Sequence, residues 1–554
     1  MSPPVLPTIP NPAGLNPEQL RTFAEQIREL TREQVAALPP DQVGFAAQIL
    51  EKARWAGESH YFGWLHSVLP EPFFQTQGFV IFFLTVATAY WLLPRRWNTA
   101  RVYLLVIASF HFYAAWNASL AFLVTITATF DYLLARWMDS VEHRGRRRVL
   151  MWISILMNLG VLAYFKYRGF FLNELHDLVA WLGGTPGFTA LSPLNILIPF
   201  GISFYTFEAI SYAVDVFQRK VKAERSLPHF MLFILFFPHL VAGPIVRAGD
   251  FLRQAHRVKR WNWVRVQVGV QLVLLGLFKK LAIADRMAMF CDGIAHDGPL
   301  VQPQNYTSSA VWLAVLAYAL RIYADFSGYS DMAVGTAHLL GFKLTQNFNM
   351  PYLSRNVSEF WRRWHISLST WLRDYVFFSI TSLHKRGVVL MYVGLIVTML
   401  LGGIWHGAAW TFVIWGLLHG AGLAVVRGFA MLRKRFGWQM PNSFWSSIGA
   451  VFVTFHFVCV TWIFFRADSF SQAFAVFRSL GTFTTNTENL PLPILLIIAL
   501  TFAAQWLPDN WWRRMQRSFA WLPAPAQAVL LAGLAMGLYL IASSDVVPFI
   551  YARF

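Results

Sequence analysis

From Gly78 onward the chain is a succession of apolar runs separated by short polar loops. The runs fall at 78–93, 101–116, 118–137, 149–171, 194–217, 229–246, 264–290, 309–341, 388–404, 408–426, 447–465, 491–507 and 525–542. A helix needs about 20 apolar residues to cross a bilayer. Several runs are shorter and 309–341 is longer, so the pattern predicts about eleven to thirteen segments, some of them re-entrant. An open sheet edge cannot be satisfied in lipid, so the body is expected to be all-α. Residues 1–77 differ. Their start is Pro-rich, and 17–37 and 41–55 read as two short amphipathic helices parted by Pro39 and Pro40. Thr31 with Gln34 has capping-box spacing, and Leu20, Phe23, Ile27 and Leu30 form one apolar stripe. No basic segment leads into an apolar core at the start, so no cleavable signal peptide is read there. The expected division is an extension over 1–77 that docks on the body or a partner, and a membrane body over 78–554.

Composition agrees with a polytopic membrane protein. Hydrophobic residues make up 56% and charged residues only 13%, against about 25% charged in soluble domains. The 50 Phe and 24 Trp suit lipid contact and interfacial belts. The net charge of +18 lies in short loops, with basic clusters at 95–101, 144–148, 253–265, 427–435 and 513–517. That placement argues for cytoplasmic loops and contact with anionic lipid, and against nucleic acid as a partner. A cytoplasmic anionic donor such as a coenzyme A thioester suits the same surface. The first basic loop would place the amino-terminal extension outside. Cys291 and Cys459 offer neither a disulfide framework nor metal-ligand spacing, so no metal is expected.

Polar residues inside apolar runs are costly in lipid and mark functional paths. Four groups qualify. His406 lies in Gly402-Gly403-Ile404-Trp405-His406-Gly407, amid an apolar stretch. An imidazole near neutrality in a low-dielectric site suits general-base work, although a buried histidine with a satisfied partner has the same appearance. The second group runs from Asn356 to Ser369 and contains Glu359, Trp361, Arg362, Arg363, Trp364 and His365. It reads as an interfacial helix that Asn356 and Glu359 cap and Glu359 pairs with an arginine. His365 would face inward, and the arginines would meet headgroups or an anionic donor. In the third group Arg321 and Asp325 are four apart and would neutralise each other on one helix face. The fourth, Phe200 to Glu208 with Phe237 to Pro244, carries helix breakers and His239, for which a structural role is expected.

In this order the four groups resemble the membrane-bound O-acyltransferase (MBOAT) superfamily, and within it the bacterial alginate O-acetylation branch. The resemblance rests on YFKYRGFF (164–171), IPFGISFYTFEAISYAVDVF (198–217), FFPHLVAGPIVR (236–247), GLFKKLAIADR (276–286), DFSGYSDMAVG (325–335), the run from 347 to 375 with its WRRWH, and GGIWHGAAWTF (402–412). It implies a ring of transmembrane and re-entrant helices around a tunnel. His406 resembles the family's catalytic histidine and His365 its second active-site residue. Arg362, Arg363, Arg321, Asp325, Trp405 and Trp410 are then the residues expected along the donor path. The donor implied is acetyl-CoA in the acetylating branch, or an acyl carrier protein in the teichoic-acid branch. The acceptor implied is an extracytoplasmic polysaccharide, reached directly or through a periplasmic SGNH-type acetyltransferase partner, from a bacterial inner membrane. Arg321 and Glu208 stand where the branch usually has Gln, the loop after Asp374 is altered, and the extension is additional. Two other classes compete: a polysaccharide or lipid-intermediate transporter, for which the internal repeats expected of many transporters are not seen, and a non-catalytic scaffold.

Overall fold

In the computed structural model the described residues are 76–183, 200–293, 297–383, 387–438, 443–485, 489–507 and 509–541, with Gln19, Thr22, Phe23, Gln26, Gln42 and Phe74 upstream. Apart from those isolated residues, the expected amino-terminal hairpin lies outside them, as does the segment after 541. The described residues form helices and connections, with no strand among them, as an all-α polytopic membrane protein requires. The chain divides into two compact units, Met1–Phe237 and Pro238–Phe554.

The first unit is a helical bundle. Thr76 caps α1 (Gln77–Leu92), its Oγ1 accepting from Phe79 N at 3.2 Å. The chain then bends by 116° into α2 (Asn98–Trp116). Asn117 joins α2 to α3 (Ala118–Ser140) and caps α3 through Leu120 N. The next helix, α4 (Arg144–Leu162), continues through a π turn into α5 (Arg168–Trp181). Asp131 on α3 would be costly inside a span. Its carboxylate accepts from Ser154 Oγ and from Asn158 Nδ2 on α4, which satisfies it between the two helices. Arg147, from a basic cluster read as a loop surface, is buried. Its guanidinium donates to Met138 O of α3 at 2.9 Å and to Val216 O of α6 (Ile202–Phe217) at 2.7 Å. A cation is favoured there because the last carbonyls of a helix lack intrahelical partners. The final helix, α7 (Leu227–Leu235), has nine residues.

The second unit begins with α8 (Ala248–Ala255) and α9 (Trp263–Phe278). A π turn over Lys279–Ala284 leads into α10 (Asp285–Asp292). Next comes α11 (Ser308–Leu339), whose 32 residues are mostly buried. At about 48 Å it outruns a hydrocarbon layer of about 30 Å. It runs against α9 along a seam of glycines seven residues apart on each helix. A Cβ on Gly276 would lie 2.4 Å from Gly328 O, and one on Gly335 would lie 2.6 Å from Gly269 O. Only glycine lets the backbones approach this closely.

The charges of this region pair across helices. Lys280 Nζ lies 2.9 Å from both Asp285 Oδ1 and Asp325 Oδ1, and Lys279 Nζ lies 2.6 Å from Asp331 Oδ2. Arg321 therefore does not pair with Asp325 as its spacing suggested. Both side chains leave α11 for partners on neighbouring elements. Arg321 Nη1 reaches Asp292 Oδ2 at 2.6 Å, and Arg466 Nη2 reaches Asp292 Oδ1 at 2.8 Å.

Short α12 (Val357–Arg363) and α13 (Ile366–Leu372) follow, then α14 (Val388–His406), α15 (Trp410–Phe436), α16 (Phe444–Arg466) and α17 (Phe470–Leu480). The described chain ends with α18 (Leu492–Gln505), α19 (Asp509–Trp521) and α20 (Ala524–Ile541). Seven helices among the described residues are long and apolar enough to cross a membrane, eight if the bent α1–α2 pair is one span. This is fewer than the apolar runs suggested. The run 229–246 yields α7, and 491–507 yields the 14-residue α18. At about 1.5 Å per residue both are too short to span.

Candidate active site

His406 is the last residue of α14, and Gly407 turns the chain toward α15. The α14–α15 hairpin closes through small residues. A Cβ on Gly403 would lie 2.3 Å from Phe412 O, and one on Gly416 would lie 2.5 Å from Met399 O. That contact draws the imidazole into the protein, where it is 2% exposed. Its ring centroid lies 4.9 Å from Trp405, 4.9 Å from Trp415 and 5.1 Å from Phe465, all at steep angles. It sits beside the last carbonyls of a 19-residue helix, which lack intrahelical partners.

His365 joins α12 to α13 with φ 42° and ψ 55°, a left-handed conformation rare for a residue with a side chain. Such strain persists only where surrounding contacts over-determine it. Here the segment 347–349 grips both flanks. Asn349 N donates to Arg363 O, and Ile366 N donates to Asn347 O, each at 2.9 Å. The side chain is held too. Asn347 Oδ1 accepts from Ser367 N at 3.2 Å and from Ser367 Oγ at 2.8 Å, and lies 3.2 Å from His365 Nδ1. A backbone N–H can only donate, so the Asn347 atom is the oxygen and His365 Nδ1 carries the proton. The tautomer leaves Nε2 as an acceptor. Complete burial holds this imidazole neutral by pushing its pKa down to about 3.

Trp405 packs near both histidines, its ring centroid 6.1 Å from His365 and 4.9 Å from His406. The other expected residues are placed as follows. Arg363 pairs with Glu359 at 2.8 Å, while Arg362 reaches Ser358 from an exposed position. Asn356 caps α12 through Glu359 N, and Glu359 Oε2 turns back to Arg355 N. Trp361 and Trp364 are not interfacial, being 7% and 1% exposed; they pack inward, while Arg362 is exposed and Ser358, Glu359 and Arg363 are half-buried. Arg321 and Asp325 sit in the buried ion pairs described above. Trp410 opens α15 and is 51% exposed. His239 packs edge-on against Phe251.

The sequence reading missed His419. It is fully buried on α15, with Nδ1 accepting from Trp361 Nε1 at 3.2 Å and Nε2 lying 3.0 Å from Thr461 Oγ1. Indole nitrogen can only donate, so His419 donates from Nε2 to Thr461. Its ring centroid is 4.8 Å from Trp415, which in turn packs on His406. His419 thus positions the wall of the pocket rather than entering it. Helical spacing to Trp415 was the available signal, but it does not separate such a residue from ordinary core. Asn347 was equally hidden, since its 18-residue separation from His365 carries no local pattern.

The His365–Asn347 contact makes a pH prediction. Asn347→Asp places a carboxylate against Nδ1–H and raises the pKa of His365 from about 3. A neutral His365 is needed for Nε2 to accept. The variant should therefore lose activity as pH falls through the raised pKa, at a pH where the wild type is unaffected. A superimposable acid limb in the two pH–rate profiles would refute this role.

Comparison with known proteins bears on the same region. Residues 79–465 match the MBOAT, membrane-bound O-acyltransferase family. The chain is 38% identical over 416 residues to a "probable alginate O-acetylase" of Pseudomonas aeruginosa, covering 74% of this chain and 75% of that protein. It is 33% identical over 434 residues to a peptidoglycan O-acetyltransferase of Helicobacter pylori, covering 74% and 77% respectively. Similarity to a teichoic acid D-alanyltransferase of Bacillus subtilis is 31% over 290 residues, covering 50% and 71%.

Proposed function

From the premise that this chain belongs to the membrane-bound O-acyltransferase family and is a multi-pass membrane O-acyltransferase, we propose that it moves acetyl groups from a cytoplasmic thioester, acetyl-CoA, toward hydroxyls of an extracytoplasmic polysaccharide. The observation that carries the reading is the arrangement of two buried histidines about Trp405, one at a helix carbonyl end and one fixed as a neutral acceptor. The acceptor oxygen attacks the thioester carbonyl carbon and the carbon–sulfur bond breaks. The hydroxyl proton passes to His406 and then to the leaving thiolate, giving an ester and a thiol. His406 is the base because it is the buried imidazole that the end of α14 holds beside Trp405 and Trp415. In its Nδ1–H tautomer His365 cannot donate from Nε2 to a thioester carbonyl, so it orients the acceptor instead. Trp405 packs near both and helps hold the reacting groups in line. The similarity to acetylating relatives over three quarters of the chain, against half for the D-alanyltransferase, supports acetyl as the group moved. We place the chain in the bacterial inner membrane beside an SGNH-type periplasmic acetyltransferase that completes the transfer.

The donor is tested by supplying acetyl-labelled acetyl-CoA to inside-out membrane vesicles that hold the chain and its host glycans. Alkali-labile label on glycan is the expected result. If label moves from an acyl carrier protein and not from acetyl-CoA, the donor is wrong. If glycan export fails while esters still form, the transporter reading replaces this one.

A further inference from the structure

A groove of about 510 Å³ opens beside α12 and the first turns of α16, a size typical of small-molecule sites, about 300–1,000 Å³. Its lining is of two kinds. The polar lining is Arg355, Glu359 and Arg363 from the α12 region, two cations to one carboxylate, with Ser443 and Ser447 from the start of α16. The guanidinium of Arg363 is shared with Glu359, whereas Arg355 is exposed. Ser443 is the amino-terminal cap of α16, so the positive end of a 23-residue helix lies at this lining. The rest of the lining is apolar. Phe444, Ile448 and Val451 recur at helical spacing along α16, and Trp506 also lines the groove. Phe444 is 67% exposed and Trp506 is 53% exposed. The preceding helix, α15, ends in Arg433, Lys434 and Arg435, which adds to the positive field.

We propose that this groove binds an anionic phospholipid, with its phosphodiester on Arg355 and the Ser443–Ser447 turn and an acyl chain along Phe444, Ile448 and Val451. Charge complementarity selects the headgroup, and the apolar track parallel to α16 selects a chain over a free phosphate. The site bears on the chemistry as well. Arg363 closes the groove with its side chain, while its carbonyl is gripped by Asn349 two residues before the strained His365. A bound headgroup braces α12 and so holds His365 in its left-handed conformation. This second part rests on the acyl-transfer reading above; the lipid site itself does not.

The test uses the full chain in nanodiscs of phosphatidylcholine with a graded fraction of phosphatidylglycerol. Native mass spectrometry of protein released from the discs should show retained phosphatidylglycerol in the wild type. Arg355→Gln, at an exposed position, should weaken retention about fivefold, since a basic residue near an anionic surface contributes on that scale. Ser447→Asp should abolish it. Ester formation should rise with phosphatidylglycerol in the wild type and be flat in both variants, at unchanged KM for acetyl-CoA. Equal retention in all three proteins overturns the site. Unchanged retention with a raised KM in Arg355→Gln assigns the groove to the phosphates of the donor and likewise overturns the lipid. Lost retention with no change in ester formation keeps the lipid but removes its link to His365. The ester assays are run with the host glycan and its periplasmic acetyltransferase added; if the wild type still forms no ester in any disc, the acyl-transfer reading fails, while the retention result still decides the site.

Discussion

His406→Ala should lower ester formation by about 10²- to 10⁴-fold, the range for losing a positioned general base. The imidazole sits at the carbonyl end of α14, packed by Trp405, Trp415 and Phe465. Removing it deletes the proposed base, and neither of the nearby buried histidines, His365 and His419, takes its place. Burial makes His365 a weak base, its pKa pushed down to about 3, and His419 is committed to Trp361 and Thr461. The measurement is acetyl esters on extracellular glycans in the host's own deletion background, with membrane levels of each protein checked by blot. Truncation also leaves a void among the three rings, so His406→Gln, which refills most of the space without a base, is run beside it. Both variants should accumulate normally and both should be inactive. Esters persisting at wild-type level with either variant would sink the base assignment and move the scaffold reading ahead.

Asp292→Asn should be the most damaging change away from the site. Asp292 accepts Arg321 on one oxygen and Arg466 on the other, joining α10, α11 and α16, and the three side chains are 10%, 4% and 15% exposed. Removing one partner of a buried ion pair leaves charge uncompensated and costs about 3–5 kcal/mol. Here it leaves two arginines facing each other. Arg321→Gln should behave differently. It restores the residue usual in the resembling branch and leaves Arg466 paired with Asp292, so its cost should be small. The check is thermal stability of detergent-solubilised protein by fluorescence-detected size exclusion. Asp292→Asn should lose its monodisperse peak well below the wild-type temperature, with Arg321→Gln close to wild type. The reverse order would show that the charge balance of this hub has been misread. Replacing all three residues by apolar ones of similar volume should recover part of the loss, because the penalty lies in the broken pair.

Much of this protein was determined by local sequence. Apolar runs of 16 to 32 residues become α-helices because a chain in lipid has no other way to satisfy its backbone. His406 and His365 stood out because a titratable residue in an apolar run is costly without a use. The caps at Thr76, Asn117 and Asn356 were equally local, since each side chain bonds a backbone group three residues on.

Tertiary structure decided what depends on distant residues. Composition does not distinguish a helix buried in protein from one facing lipid, so 229–246 had the pattern of a span and Trp361 and Trp364 that of an interfacial belt. The i, i+4 rule offered Arg321 and Asp325 to each other, but within a packed interior the nearest counter-charge is across the helix interface, on Asp292 and Lys280. The protonation of His365 rests on Asn347 and Ser367, and the wall behind His406 rests on Trp415, Phe465 and His419. The periodicity of a single helix names which residues share its face. Which residue meets which partner is set only when helices pack, because hydrogen bonds and ion pairs act over a few ångströms in space and carry no trace of separation along the chain.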